Sequence, residues 1–587
     1  MVCKPVIIHD IRSTIRRAAA VFLGLVLRLA APAGASVAYA ATPPPLRAAH
    51  AAVASDSRLA SEAGVAAMRA GGNAVDAACA TALVLGVVEP QASGIGGGGF
   101  AIVHLAKGGA THALDFRERA PAGVSPAAYL RDGKPVADRS QRGGLAVAVP
   151  GEVRGLAEMV RRWGALPFAR CVEPAARIAA AGFPVSWRLA ATLRELARDE
   201  PTANRAFLQA FTSHPYAEGD LFRRPELART LRQLRAGGAD AFYKGAVANE
   251  IVASVRASGG VLTAADLAGY TPTERVPLET HHRGLRVLTM PPPSSGGVAL
   301  IEALGILDVH YPTDADLARD GRGSSAYLHV LAEALKHAFA DRARYLGDPD
   351  FVTVDVGHFV DSRYHAELAG RIKPGAVLPA AGYGTPGPAP AAHHDGGTTH
   401  LSVIDADGNA VAMTSTVNLA FGSHLVAGST GIVLNDQMDD FSVAPGVPNA
   451  FGLVGNAQNA IAPGKRPLSS MTPTIALDSD GRVRVVVGAA GGPRIISGTL
   501  QALLGVVDWK LDAQAAVAAP RIHDQWSPEI LSVEPELPRD VTDALAKRGH
   551  KVAPIPTVGV VNVLVRSPDG VIQAGAEPRS PSTPAGY

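Results

Sequence analysis

The chain lacks the features that would place it in several specialised structural classes. Only three of its 587 residues are cysteines, and its net charge is +2. Cys79 and Cys171, the two beyond the N-terminal segment, lie in apolar helical contexts where buried free thiols are common, so no disulfide framework is indicated. Such a small net charge gives no reason to expect a nucleic-acid partner. No later segment is a convincing membrane-spanning helix, and we find no internal repeat.

The first 40 residues have the pattern of a signal peptide. Arg16 and Arg17 precede an apolar run at residues 18–27, and residues 38–40 read Ala-Tyr-Ala, a small-x-small cleavage site. The apolar run is too short to span a bilayer. We therefore expect an exported protein, periplasmic or secreted, without a membrane span.

Helical periodicity dominates the first part of the chain, and strand patterns dominate the end. We predict two helices within residues 50–90, and further helices at Glu152–Trp163, 174–181, 224–236, Ser325–Tyr345 and 495–506. Strands are predicted at 100–105, 111–117, 286–290, Thr474–Leu477, 482–487, 561–566 and 571–574. Strands late in the chain and helices before them predict an α+β fold in which helices cover a two-layer β core.

Patterns for cofactors and metals are present only in imperfect form. Residues 94–99 satisfy G-x-G-x-x-G, but a helix precedes them and a strand follows, the reverse of a dinucleotide site. A close approach of another backbone segment is the better interpretation. Residues 393–395 with His400, and residues 281–282, contain histidines without metal-ligand spacing. We expect neither a cofactor nor a metal.

The stretch with the most chemical content is residues 396–400, Gly-Gly-Thr-Thr-His. Strand-forming residues on both sides of an Asp-Gly turn at residues 407–408 predict a β-hairpin. Its register places Thr398 opposite Thr416 or Val417.

A threonine hydroxyl is a poor nucleophile without a base, and no His-Asp relay is evident near Thr398. Cleavage of the chain before Thr398 would create an α-amine with a pKa of about 7.7–8.0 on the same residue. The two glycines allow the backbone shape needed for Thr398 Oγ to attack the Gly397 carbonyl. Residues 376–392, rich in Pro, Gly and Ala, form a flexible linker that would let the new ends separate. The simpler alternative is that the pentapeptide only begins a strand.

Four other stretches contain groups suited to acyl transfer. Residues 488–494 place glycine N–H groups at a helix N-terminus, which suits an oxyanion hole. Ser469-Ser470 offers two hydroxyls, and residues 435–441 offer carboxylates for an ammonium group. Arg117 at a strand end suits a substrate carboxylate. Each has an ordinary alternative as a turn, a loop, a solvated acidic segment or a surface charge.

Together these motifs resemble the γ-glutamyltranspeptidase family, also called glutathione hydrolase. The resemblance extends in order over residues 48–587 and rests on residues 93–100, 115–118, 292–297, 345–350, 397–400, 435–442, 465–471 and 491–494. It implies an N-terminal nucleophile hydrolase with a four-layer αββα sandwich, made as a precursor. Self-cleavage between Gly397 and Thr398 would give a large subunit, residues 41–397, and a small subunit, residues 398–587, that form a heterodimer.

The resemblance also implies roles for individual residues. Thr398 would be the nucleophile, Thr416 its hydrogen-bond partner, and Gly491 and Gly492 the oxyanion donors. The α-carboxylate of a γ-glutamyl group would be bound by Arg117, Ser469 and Ser470, and its α-ammonium by Asp440, assisted by Asn418 and Gln437. Donors would be glutathione and other γ-glutamyl compounds, with water, amino acids or peptides as acceptors and no cofactor.

One position departs from the family pattern. Phe451 stands in a segment, residues 445–457, that resembles the family's lid loop, where a tyrosine often bonds the asparagine matching Asn418. The change predicts either a looser lid or a pocket open to bulkier acyl groups. Two alternative functions remain open for the whole chain. One is a cephalosporin acylase that takes glutaryl groups, but a glutaryl group has no ammonium to pair with Asp440. The other is an uncleaved binding protein without activity.

Overall fold

The computed structural model describes residues 42–199, 204–385, 387 and 396–587. The chain divides into two units, residues 1–44 and 45–587, and every helix and strand of the described residues lies in the second. The predicted signal peptide lies outside the described residues, as do positions 386 and 388–392 of the predicted linker. The described part of the linker contains a 3₁₀ turn at Ala380–Gly382.

Two antiparallel sheets of seven strands each form the centre of the second unit. Their strands, in chain order, are β1 (Leu46–Ala48), β2 (Ala52–Ala54), β3 (Gly98–Leu105), β4 (Ala110–Phe116), β5 (Thr273–Arg275), β6 (Leu278–His282), β7 (Leu285–Thr289), β8 (Gly396–Ile404), β9 (Ala410–Leu419), β10 (Thr474–Leu477), β11 (Val483–Ala490), β12 (Val560–Arg566), β13 (Ile572–Gly575) and β14 (Ala585–Gly586). The first sheet has the order β1-β13-β12-β11-β10-β7-β6, and the second β14-β2-β8-β9-β3-β4-β5. Smaller sheets are also present. Two of them have two strands each, Leu130–Arg131 with Lys134–Pro135 and Phe183–Pro184 with Leu221–Phe222. In another, Leu531–Val533 pairs with Ile522–His523 on one side and with Val552–Pro554 on the other.

The helices of six residues or more are mostly in the first two-thirds of the chain. They are α1 (Arg58–Arg69), α2 (Ala74–Val88), α3 (Glu152–Trp163), α4 (Phe168–Ala181), α5 (Trp187–Asp199), α6 (Arg205–Phe211), α7 (Pro225–Gly237), α8 (Gly245–Ala257), α9 (Gly296–His310), α10 (Asp314–Asp320), α11 (Ser325–Tyr345), α12 (Ser362–Arg371), α13 (Arg494–Val507), α14 (Ala513–Ala518) and α15 (Arg539–Lys547). Shorter helices lie at Asp138–Gln141, Asp240–Tyr243, Ala264–Ala268 and Val356–Phe359, and 3₁₀ turns at Pro126–Tyr129, Gly144–Ala146, Gln437–Asp440 and Ala457–Asn459.

The alternation of side chains along β9 reveals the layers. Val411 and Met413 pack in a core with helices α1–α4 and α7, whereas Ala410 and Ala412 pack in the core that contains the first sheet. Successive strand residues point to opposite faces, so the second sheet lies between the first sheet and these helices. Helices α9, α11 and α13 contribute to the core of the first sheet. The expected four-layer αββα sandwich is thereby confirmed.

Most predicted elements occur within two residues of their expected bounds. Helices α3 and α11 begin and end where the periodicity places them. Helix α4 differs, because it begins at Phe168 and contains Pro174, which we expected near its start. Cys171 and Val172, on the earlier turns, are fully buried. Burial of this apolar face outweighs the backbone hydrogen bond that a proline removes.

The glycine-rich run before β3 is a place of close backbone contact, as expected. An ideal Cβ on Gly97 would lie 2.0 Å from the carbonyl oxygen of Thr416. Helix α2 precedes the run and strand β3 follows it, so the order of elements is not that of a dinucleotide site. The contact brings β9 directly beside β3.

Two further expectations concern the membrane and the thiols. Among the described residues, no helix combines the length and the apolar character needed to cross a bilayer. Cys79 on α2 and Cys171 on α4 are buried and free.

Candidate active site

The hairpin β8–β9 positions Thr398. Thr398 pairs with Thr416 in the antiparallel ladder, and Gly397 pairs with Asn418, with a shift of register between the two pairs. The predicted register is therefore confirmed. At Gly397 the backbone is too crowded for a side chain, because an ideal Cβ would lie 2.2 Å from the carbonyl oxygen of Leu419.

The Thr416 hydroxyl contacts both sides of the peptide bond between Gly397 and Thr398. It donates to the Gly397 carbonyl oxygen at 2.7 Å and accepts from the Asn418 N–H at 2.9 Å. Its oxygen lies 2.9 Å from Thr398 Oγ1. A hydroxyl has one hydrogen to donate, so Thr398 is the donor in this last contact. Thr416 thus polarises the carbonyl that precedes Thr398 and orients the Thr398 oxygen.

His400, two residues beyond Thr398, does not supply a base. Its Nδ1 lies 2.8 Å from Thr414 Oγ1 and its Nε2 lies 3.2 Å from Ser402 Oγ. Burial lowers the pKa of the imidazole to about 3. The ring is therefore a neutral member of the sheet interior, hydrogen-bonded on both nitrogens.

A cavity of about 20 Å³ adjoins Thr398. Its polar lining consists of Arg117, Thr398, Thr416, Asn418, Gln437, Asp440, Ser469, Ser470 and Gly492. Phe451, Leu453, Met471 and Ile495 form its apolar wall. Every predicted site residue therefore lines the cavity except Gly491 and Gly397. Sequence reasoning missed Leu453, Met471 and Ile495. The position of Ile495 in the first turn of the helix after the glycines is a signal for it.

Arg117 follows β4 and points into this cavity although only 1% of its side chain is exposed. Its Nη2 donates to Asp440 Oδ2 at 2.5 Å and its Nε donates to the Pro467 carbonyl oxygen at 3.3 Å. The Tyr270 hydroxyl donates to the Arg117 carbonyl oxygen at 2.8 Å. The guanidinium and the carboxylate predicted to bind opposite ends of a substrate are thus paired with each other.

Asp440 ends the 3₁₀ turn that begins at Gln437, and 11% of its side chain is exposed. Gln437 Nε2 donates to Asp440 Oδ2 at 2.7 Å, and Asn449 Nδ2 donates to Asp440 Oδ1 at 3.3 Å. Asn418 instead donates to the Asp436 carbonyl oxygen at 3.1 Å. The Gln437 Oε1 atom is buried without a hydrogen-bond partner, so its acceptor is left for a bound molecule or water.

The two serines are held by the proline-rich loop that precedes α9. The Ser469 N–H donates to the Pro293 carbonyl oxygen at 2.9 Å, and Ser295 Oγ donates to the Ser469 carbonyl oxygen at 2.6 Å. Ser469 Oγ accepts from the Met471 N–H at 3.1 Å. Ser470 Oγ is buried and has no hydrogen-bond partner. A buried hydroxyl without a partner is costly, and here it lines the cavity that contains Arg117.

Gly491 and Gly492 form the turn between β11 and α13, as the sequence predicts. Their φ values are +126° and +60°. An ideal Cβ on Gly492 would lie 2.7 Å from the Phe451 ring. An ideal Cβ on Gly491 would lie 3.2 Å from the Cα of Gly559. Gly491 does not line the cavity.

Two buried acids lie behind the cavity. Burial raises the pKa of Glu118 to about 8, against the opposing effect of the Arg117 guanidinium 3.8 Å away. Burial also raises the pKa of Glu152 to about 8, although Ser415 donates to it at 2.8 Å. Both groups are therefore largely protonated at neutral pH, and Asp440 is the carboxylate among the residues lining the cavity.

Two histidine groups were considered as possible metal sites. In the first, residues 393–395 lie outside the described residues, and His400 has Thr414 and Ser402 as partners. In the second, His282 has aspartate partners. His282 is buried, which opposes its charge, but Asp308 at 3.0 Å and Asp508 at 2.7 Å outweigh burial and raise its pKa to about 9.

The described residues contain one further group of possible metal ligands, away from the cavity: His329, Glu333 and His550, all buried. The imidazoles contact each other at 2.8 Å, and Lys336 Nζ donates to Glu333 Oε1 at 3.0 Å. The glutamate charge is already balanced by an ammonium.

The site contains a threonine that follows a glycine on a central strand of an αββα sandwich, and a hydroxyl partner and a helix N-terminus lie beside this threonine. This combination defines an N-terminal nucleophile hydrolase. The family model for γ-glutamyltranspeptidase matches residues 60–587, and the chain belongs to this family.

Relatives agree with this assignment. The glutathione hydrolase proenzyme of Escherichia coli is 40% identical over 541 residues, which cover 91% of each chain. That of Pseudomonas aeruginosa is 43% identical over 466 residues, 79% of this chain and 80% of the relative. Among solved structures, a cephalosporin acylase from Bacillus halodurans has a TM-score of 0.82 at 30% identity and covers 94% of this chain and 98% of its own. A Helicobacter pylori γ-glutamyltranspeptidase chain has a TM-score of 0.51 at 39% identity, covering 55% of this chain and 91% of its own.

Proposed function

We propose that the protein is an exported γ-glutamyltransferase and glutathione hydrolase that activates itself by cleavage between Gly397 and Thr398. The observation that carries this proposal is that one cavity contains both Thr398 and the Arg117–Asp440 ion pair. A nucleophile beside two opposite charges suits an acyl group that carries an α-amino acid.

Self-cleavage begins with attack of Thr398 Oγ on the Gly397 carbonyl carbon. The carbonyl oxygen becomes negative in this step, and the Thr416 hydroxyl that donates to it at 2.7 Å stabilises that charge. The tetrahedral intermediate then collapses: the bond between the Gly397 carbonyl carbon and the Thr398 nitrogen breaks, and that nitrogen takes up the hydroxyl proton and becomes the α-amine. Water hydrolyses the resulting ester, which frees the Gly397 carboxylate and the Thr398 hydroxyl. The products are a large subunit, residues 41–397, and a small subunit, residues 398–587, that remain together as a heterodimer.

In the mature enzyme the Thr398 α-amine is the general base, since its pKa of about 7.7–8.0 leaves part of it neutral near pH 7. It accepts the hydroxyl proton as Oγ attacks the γ-amide carbonyl of the donor. The N–H of Gly492, which lines the cavity, stabilises the oxyanion together with the N–H of Gly491 on the same turn, and the departing amine takes up the proton. Water then hydrolyses the γ-glutamyl ester, or the amine of an acceptor amino acid or peptide attacks it.

Donor recognition is an exchange of ion pairs. The α-carboxylate takes the place of Asp440 at Arg117, with hydrogen bonds from Ser469 and Ser470. The α-ammonium takes the place of Arg117 at Asp440, where Asn418 and Gln437 offer oxygen acceptors. The cavity of about 20 Å³, about the space of one water molecule, opens as the pair separates. Glutathione and other γ-glutamyl compounds have both charges.

The alternative, a cephalosporin acylase acting on glutaryl groups, is favoured by the similarity to the Bacillus halodurans enzyme. A glutaryl group has a carboxylate for Arg117 but no ammonium for Asp440. Asp440, with 11% of its side chain exposed, would lose its cation, and removing one partner of a buried ion pair costs about 3–5 kcal/mol. We therefore expect γ-glutamyl donors to be preferred by at least about a hundredfold.

The test is the intact mass of the purified, exported protein together with its activity. We expect two chains, one beginning at Thr398, and hydrolysis of γ-glutamyl-p-nitroanilide faster than of glutaryl-p-nitroanilide. Thr398→Ala is expected to remain one chain without γ-glutamyl release. A cut and active Thr398→Ala protein would contradict the proposal, and a single inactive wild-type chain would favour the uncleaved binding protein. The first residue of the large subunit also tests the signal peptide at residues 1–40.

A further inference from the structure

The lid loop, residues 445–457, folds back on itself beside the cavity. The Gly446 N–H donates to the Gly455 carbonyl oxygen at 3.0 Å, and Pro448 pairs with Val454. The tip of this small hairpin carries Asn449 and Phe451. No tyrosine hydroxyl is present to tie the tip down, so other contacts hold it.

The carboxamide of Asn449 is bonded at both ends. Its Oδ1 accepts the backbone N–H groups of Phe451 at 3.1 Å and Leu453 at 3.0 Å. Two N–H donors can bond only the oxygen of an amide, so the orientation of the group is determined by the turn. The Nδ2 consequently faces Asp440 Oδ1, 3.3 Å away.

The two oxygens of Asp440 have different partners. Arg117 and Gln437 both donate to Oδ2, while Asn449 donates to Oδ1. When a donor ammonium replaces Arg117 at Oδ2, Asn449 still holds the other oxygen. The same carboxamide also fixes the backbone of Phe451, whose ring packs on Gly492. One side chain therefore links the ammonium partner to the residue that covers the oxyanion turn.

We propose that Asn449 is a positioning residue that determines donor specificity: it holds the Asp440 carboxylate for the α-ammonium group and joins ammonium binding to the lid. This proposal rests on the proposed function of the same cavity. It predicts that Asn449 matters for donors with an α-ammonium and not for glutaryl donors, which leave Asp440 without a cation.

The experiment compares γ-glutamyl-p-nitroanilide with glutaryl-p-nitroanilide, which release the same chromophore. Asn449→Ala removes both contacts, whereas Asn449→Ser keeps an oxygen that can accept a backbone N–H two residues on but cannot reach Asp440. Asn249→Ala is the matched control, because Asn249 is exposed on α8 and does not line the cavity. Intact mass shows whether each variant is cut, and circular dichroism shows whether it is folded.

For both Asn449 variants we expect the KM of the γ-glutamyl donor to rise about tenfold, the loss of one hydrogen bond to a charged group. In Asn449→Ser the kcat for this donor and the activity toward the glutaryl donor should change less than about twofold, whereas Asn449→Ala also loses the lid contacts and should lower the kcat for both donors. Asn249→Ala should match the wild type. Equal losses for both donors in Asn449→Ser would mean that Asn449 only maintains the lid, and unchanged kinetics in this variant would mean that the contact with Asp440 is irrelevant; either result overturns this inference alone. A wild type that hydrolyses neither donor overturns the proposed function and this inference with it.

Discussion

Replacing Thr416 by valine tests the mechanism of self-cleavage most directly. Valine has nearly the shape of threonine but has no hydroxyl, so the substitution removes three contacts without opening a cavity. The variant loses the donor to the Gly397 carbonyl oxygen, and it loses the acceptor for the Thr398 hydroxyl and for the Asn418 N–H.

The expected loss follows from the charge that develops on the Gly397 oxygen. Removal of one hydrogen-bond donor from an oxyanion slows acyl transfer by about 10²–10³-fold. The Asn418 N–H is also left without its acceptor in a buried site, which lowers the free energy of unfolding by about 1–3 kcal/mol. Thr416→Ser keeps the hydroxyl, so its cleavage rate should remain within about fivefold of the wild type.

The assay follows the conversion of newly synthesised precursor into two chains by intact mass over time, with circular dichroism to establish that each variant is folded. We expect Thr416→Val to persist as a single chain for at least about a hundred times longer than the wild type. A folded Thr416→Val protein that is cut at the wild-type rate would refute the role of Thr416 as the donor to the scissile carbonyl.

Two further predictions concern charge in and behind the cavity. Asp440→Asn should lower kcat/KM for γ-glutamyl-p-nitroanilide by at least about a hundredfold, because the ammonium loses its buried partner, and should raise glutaryl-p-nitroanilide hydrolysis, because no unpaired carboxylate is left when a glutaryl group binds Arg117; a parallel loss for both donors would contradict the assigned role. Burial raises the pKa of Glu152 from 4.5 to about 8, so its proton stabilises the fold at low pH and this contribution is lost as pH rises from about 4.5 through about 8. In the uncut Thr398→Ala chain, Glu152→Gln should flatten the fall of the melting temperature across that range relative to the exposed control Glu62→Gln, and an unchanged slope would show that Glu152 is not buried in its protonated form.

Local patterns in the sequence were sufficient for much of the fold and part of the site. Turn residues and alternation predicted the β8–β9 hairpin with Thr398 opposite Thr416 or Val417, because a short turn determines the register of the strands that it joins. The structure has the first of these two pairings. The strand–turn–helix around Gly491 and Gly492 was also predicted from local residues, because the glycines mark the end of the strand and the start of the helix. The start of α4 was not, because packing of Cys171 and Val172 outweighs the local effect of Pro174.

The sequence by itself therefore determined the family, the order of the elements and the identity of the candidate nucleophile. Only the tertiary structure decided that Arg117 and Asp440, more than three hundred positions apart, form an ion pair, and that Asn449 rather than a tyrosine connects the lid to the cavity. It also decided that Gly491 does not line the cavity although its neighbour does. These contacts depend on how β4, the 3₁₀ turn, the lid loop and α13 pack around the two sheets. Hydrogen bonds within a hairpin follow from nearby residues, whereas the distance between side chains on separate elements is determined by the packing of all the layers between them.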